Sequence, residues 1–102
     1  MRKSKRLNLR ASARCAPREL ADVIHAHLTL AGFKPAKVLR EIDKDAGYVV
    51  YRFKVTVPNE PWGAMAVGAE VIIDPKQCDV IVKDYGQRSI GREVEALIRA
   101  LH

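Results

Sequence analysis

At 102 residues, 48% hydrophobic and 29% charged, the chain has the size and composition of one globular domain with a single core, which excludes wholesale disorder. Its net charge of +6 is unevenly placed: Arg2, Lys3, Lys5, Arg6, Arg10, Arg14 and Arg18 all precede the first acidic residue, Glu19, whereas residues 19–102 balance to −1. No apolar run approaches the roughly 20 residues of a membrane-spanning helix. Cys15 and Cys78 form neither a CxxC pair nor a His-Cys cluster, so two free thiols in a reducing cytoplasm are expected. The Arg-rich, acid-free start also has the composition of a transit peptide, although nothing else points to an organelle.

Residues 1–14 read as a basic arm ahead of a single α+β domain over 15–102. Within the arm, RLNLRA alternates Leu7, Leu9 and Ala11 with Arg6, Asn8 and Arg10, a weak period-two signal for a short edge strand with outward arginines. Pro17 suits the first turn of a helix and Gly32 the position just past its end. Between them Leu20, Val23, Ile24, Leu28 and Ala31 form one apolar stripe at about 100° per residue, with Arg18, Asp22, His25 and Thr29 opposite.

Strands follow. The first lies around AKVLREID and ends in the turn DKDAG. In the second, GYVVYRFKVTV, Val49, Tyr51, Phe53, Val55 and Val57 share one face, and Tyr48, Val50, Arg52, Lys54 and Thr56 the other, an alternation that implies an antiparallel sheet with one covered face. PNEPWGA reads as a loop. AVGAEVIID resumes strand character with Val67, Ala69, Val71 and Ile73 in phase, and DPKQCD turns it into DVIVKD. In SIGREVEALIRALH, Ile90, Val94, Leu97, Ile98 and Leu101 make a second amphipathic helix.

The expected fold is therefore α+β: an antiparallel sheet of about four strands, with room for a fifth, short N-terminal edge strand, and two amphipathic helices on one face. The other face is left to solvent or to a partner. Tyr48, Val50, Arg52, Lys54, Ile72, Ile81 and Lys83 are assigned to it, a surface more apolar than a monomer needs.

Catalytic machinery is not visible. His25 and His27 point about 160° apart on a helix and cannot grip one metal ion together; His27 reads as a core histidine with a hydrogen-bond partner. No GxSxG elbow and no phosphate-cradling glycine pattern occurs. Asp43 and Asp45 suit a turn, where Asp bonds nearby backbone. A non-enzymatic protein without cofactor or metal is expected.

Two readings of the partner follow. Seven cations without counter-charges attract polyanions, so Arg2, Lys3, Lys5, Arg6, Arg10, Arg14 and Arg18, assisted by Arg52 and Lys54, are expected to engage nucleic acid or a ribonucleoprotein. The alternative is a protein-interaction module or inhibitor, of the kind phages and mobile elements encode, docking through Tyr48, Val50, Trp62, Ile72 and Ile81, or a homodimer joined through those faces. Trp62, between Pro58, Pro61 and Gly63, either caps the core or serves recognition. A membrane partner is not expected, because the arm lacks a bulky apolar face. The order of helix, three strands and helix resembles double-stranded-RNA-binding domains in topology. Such domains begin their last helix with lysines, where QRSIGREVE supplies only Arg88 and Arg92.

Overall fold

The computed structural model describes residues 5–10, 16–45, 47–59, 64–76, 79–86 and 88–101, with residues 5–10, 58, 59, 64, 65 and 88 described by backbone alone. The elements are β1 (Lys5–Arg10), α1 (Pro17–Leu30), β2 (Lys34–Pro35), β3 (Leu39–Ile42), β4 (Val49–Asn59), β5 (Ala64–Asp74), β6 (Asp79–Asp84) and α2 (Arg88–Leu101). They form one antiparallel sheet in the order β1-β6-β5-β4-β2, with β3 also pairing to β4. Thus β2 and β3 are two pieces of one broken edge, and β1 is the opposite edge.

Local chemistry sets the ends of α1. Pro17 is its first residue. At the other end Gly32, at φ 97°, takes the left-handed conformation that a side chain would resist. The turn there is of the Schellman type: Gly32 N–H donates to the Thr29 carbonyl at 3.1 Å and Phe33 N–H to the Leu28 carbonyl at 3.0 Å. Phe33 then packs on the core. The stripe of α1 is turned from the expected one, with Leu20, Ala21, Ile24 and Leu28 buried and Val23 and Ala31 exposed. Positions 20, 24 and 28 fix a line along the helix, and the small Ala21 flanks it on the inward side, allowing close approach to the sheet. In α2 the buried residues Ile90, Val94 and Ile98 are the expected ones.

Both helices bury their stripes against one face of the sheet, in a core shared with Phe53, Val55, Val57, Ala69, Val71, Ile73, Val80 and Val82. β1 pairs with β6 over six residues, from Lys5 opposite Asp84 to Arg10 opposite Asp79. Residues 5–10 are thereby a strand of the domain, and the segment 1–14 is not a detached arm throughout.

Strands β4 and β5 run further than expected, into the segment read as a loop. Their register slips between Val55, opposite Ala69, and Thr56, opposite Val67, which leaves Gly68 as the extra residue of a bulge. One inserted residue exchanges the faces beyond it. Val67, expected in phase with Ala69, is accordingly 37% exposed, while Ala69, Val71 and Ile73 are buried. The Gly68 carbonyl accepts the Tyr85 N–H at 2.9 Å, tying the bulge to the link between β6 and α2. Among the described residues no helix is long and apolar enough to cross a membrane.

Candidate functional site

Sheet register brings together three rows on the face away from the helices. One is Leu39, Arg52, Ile72 and Ile81; the next is Lys54, Glu70 and Lys83; a third is Glu41 and Val50. Register continues the first two onto β1, where Asn8 lies opposite Ile81 and Arg6 opposite Lys83.

Glu70 organises this face. Its side chain is only 7% exposed, and a carboxylate so deprived of water needs close cations. Arg52 Nη2 donates to Glu70 Oε2 at 3.3 Å, and Lys83 Nζ stands 3.9 Å from Oε1. Arg52 Nε also reaches Glu41 Oε1 at 2.7 Å. The chain Glu41, Arg52, Glu70, Lys83 therefore crosses four strands with alternating sign. No buried side-chain polar atom among the described residues lacks a partner.

This arrangement changes the roles of several expected site residues. Arg52 is held between two carboxylates and is not a free cation for phosphate. Val50 and Ile72, assigned to an exposed contact surface, are 1% and 3% exposed, and Ile81 is half-buried. Arg52 stands directly opposite Ile72, with its guanidinium drawn to Glu70 and Glu41. Val50 and Ile72 of this face are covered, and its exposed apolar side chain among the described residues is Leu39, on the β3 edge.

Tyr48 lies at the end of the sheet, half-buried. Its hydroxyl donates to Asp74 Oδ2 at 2.5 Å, and Lys76 Nζ sits 5.1 Å from its ring centroid. The Asp74 hydrogen bond, then desolvation and the negative charges of Asp74, Asp43 and Asp79, push its phenol up to about 12. Asp43 is a turn former: its Oδ1 accepts the Asp45 N–H at 2.8 Å, and its carbonyl accepts the Gly47 N–H at 2.8 Å. The two helical histidines each have a partner within the fold. His25 Nε2 donates to the Ala36 carbonyl at 3.1 Å with its ring edge-on to Phe53, so it faces the sheet rather than solvent. His27 Nε2 meets Glu93 Oε2 at 2.9 Å and joins the two helices. Among the described residues no three of His, Cys, Asp and Glu come together as a metal site.

The cations expected to meet phosphate divide into groups. Lys5, Arg6 and Arg10 are on β1. Arg18, exposed at the start of α1, pairs with Asp22 at 3.3 Å. Arg2, Lys3, Arg14 and Trp62 lie outside the described residues, as do Cys15 and Cys78. Lys54 is exposed and makes no ion pair among the described residues. It borders an open cleft of about 320 Å³ whose walls are Ala36, Lys37, Leu39, Glu41, Arg52, Phe53, Lys54 and Glu70. Sequence reasoning missed Glu70, Glu41 and Lys37. One signal was available: a lone acid, Glu70, in the apolar run AVGAEVII, two residues from Ile72, on the strand phase assigned to the uncovered face.

The chain places β2 and β3 between α1 and β4 and adds β1 beside β6, so its element order departs from the helix, three strands and helix of double-stranded-RNA-binding domains. No family model, curated protein or solved structure matches the chain.

Proposed function

We propose that this protein is a small non-enzymatic nucleic-acid-binding protein that meets the phosphate backbone, free or within a ribonucleoprotein, with its N-terminal basic edge. The observation that carries the reading is the segregation of charge: seven cations precede the first acidic residue, Glu19, of which only Arg18 is ion-paired with a near acid, Asp22, among the described residues, and three of them fall on β1, an edge strand paired on one side only among the described residues. Each phosphate neutralised by such a cation releases condensed counterions, which drives association without base contacts. Arg52 contributes nothing to this, since Glu41 and Glu70 consume its charge. The two cysteines, unpaired in sequence motif, go with a cytoplasmic location.

The test is an electrophoretic shift with mixed-sequence DNA and RNA at low salt, on the wild type and on Arg6→Gln/Arg10→Gln. Wild type should shift both, and the variant should need several-fold more protein while melting at the wild-type temperature. Absence of any shift at low salt overturns the reading, because screening is weakest there.

A second reading rests on a different observation. Leu39 and Ile42 of β3 are 50% and 68% exposed on the opposite edge of the sheet, and they suit a protein partner. Pairing with a second copy across a two-fold axis is disfavoured in the registers centred on Arg40 or on Glu41, which set like charges opposite each other. A partner there is a different protein, and pull-down lost on Leu39→Lys/Ile42→Lys would identify the edge as its site.

A further inference from the structure

We infer that the cleft between the 36–39 segment and β4 holds a single nucleotide whose base carries an exocyclic amine, its phosphate on Lys37 and Lys54 and its amine on Glu41. This rests on the nucleic-acid reading and names what the chain recognises beyond backbone charge.

The cleft combines three features. Its volume of about 320 Å³ is on the scale of one nucleotide rather than of a helix or duplex groove. Lys37 and Lys54 are both exposed on its border, and neither makes an ion pair among the described residues. Two long, flexible lysine side chains on the border of one cleft can both reach one phosphate. The third feature excludes a plain anion. Glu41 and Glu70 line the same cleft, and their negative charge opposes an unadorned phosphate or carboxylate. Glu70 is saturated by Arg52 and Lys83. Glu41 differs: its Oε1 takes Arg52 Nε, and its Oε2 has no partner among the described residues.

A ligand that satisfies this cleft must therefore bring a negative group and a hydrogen-bond donor together. An amino-bearing base on its phosphate does so, with the amine donating to a carboxylate as cytosine N4 does to Glu. Leu39, half exposed, supplies an apolar wall for the flat base. A base can reach the cleft only when unpaired, which makes single strands or looped-out bases the target. Arg52, fixed from both sides, positions Glu41 and does not itself grip phosphate. Uracil presents a carbonyl where cytosine presents the amine, and that oxygen would face the Glu41 carboxylate.

The full chain is titrated with CMP, UMP and inorganic phosphate and followed by amide chemical shifts. The expected result is shifts confined to residues 36–41, 52–54 and 70, with CMP binding about fivefold or more tighter than UMP, the discrimination of one good base contact. Lys37→Ala/Lys54→Ala should weaken both nucleotides tenfold or more with an unchanged melt, since both lysines are exposed. Glu41→Gln should erase the preference for CMP and leave the phosphate response as it was. Equal affinity for CMP and UMP, phosphate binding as strong as CMP, or shifts confined to residues 5–18 each overturn the cleft. A chain that retards nucleic acid yet ignores CMP refutes the cleft and leaves the basic edge standing; one that prefers CMP but retards no nucleic acid supports the cleft and refutes the edge.

Discussion

Glu70 shows how a single side chain decides what a sheet face can do. Removing it in Glu70→Ala would leave Arg52 and Lys83 facing each other across a site built for an anion. Breaking a buried pair costs about 3–5 kcal/mol, but both cations are near 30% exposed, so about 1–3 kcal/mol is expected, read as a lower urea midpoint at unchanged slope. Tyr48 allows a test by titration. Its phenol is raised from 10.0 to about 12, chiefly by donating to Asp74. Because the folded value exceeds the unfolded one, the folded state binds the extra proton between them. The contribution is whole below about pH 10 and declines as pH rises through about 12. Alkaline difference absorbance should show one tyrosine titrating late, and Tyr48→Phe should remove that component while flattening the fall of stability in this window. At this scale the sequence was legible where a residue's phase sufficed, as for Phe53 and Ile98, both buried. It was not legible where the partner comes from a distant strand. Nothing near Arg52 in the chain announces Glu70, eighteen residues on, and so Arg52 reads as a free cation until the strands are paired.

The β4–β5 hairpin carries the plainest lesson among the elements. Alternation correctly predicts both strands and the buried run Ala69, Val71, Ile73, then fails at Val67, because a bulge adds a residue without changing the apolar pattern around it. Gly68 is the only local hint, a residue that weakens a regular strand and often marks such a site. Two substitutions separate the phases. Val67→Lys should cost within about 0.5 kcal/mol, as exposed positions do, whereas Ala69→Lys should unfold the protein at 25 °C by forcing a charge into the core. Equivalent melting temperatures for the two variants would show the register to be continuous. The helices were legible in length and number, yet α1 is turned about its axis, since the stripe at 20, 24 and 28 can be flanked on either side. Which flank faces inward is decided by space against the sheet, and Ala21 fits where Val23 would crowd. β2 escaped notice altogether: a two-residue strand has no periodicity to detect, and it is held by pairing with Thr56 and by the Thr56 hydroxyl donating to the Lys34 carbonyl at 2.9 Å.

Across the whole molecule, location of charge matters more than its sum. From β1 to β3 the sheet spans four strand intervals, about 19 Å, roughly two Debye lengths at 0.1 M salt. A polyanion at the β1 edge therefore responds to the N-terminal cations together with Asp84 and Asp79 of β6, which stand opposite Lys5 and Arg10 in register, while the acids on β3 barely offset them. This gives the nucleic-acid reading a quantitative signature. The logarithm of the binding constant for duplex DNA should fall linearly with the logarithm of salt, by about 0.9 per phosphate neutralised. If Arg6 and Arg10 each meet a phosphate, Arg6→Gln/Arg10→Gln should lower the slope by about two units. Lys83→Gln, on the neighbouring strand but tied to Glu70, should leave the slope unchanged. Both variants are measured beside thermal melts, so that loss of affinity is separated from loss of fold. A slope insensitive to the β1 arginines, with binding intact, would move the contact elsewhere and leave those arginines as guards of an edge strand against pairing with other chains. The protein-docking reading through Leu39 and Ile42 would then become the stronger one, because the exposed apolar pair on the other edge would be the remaining surface with a partner to explain.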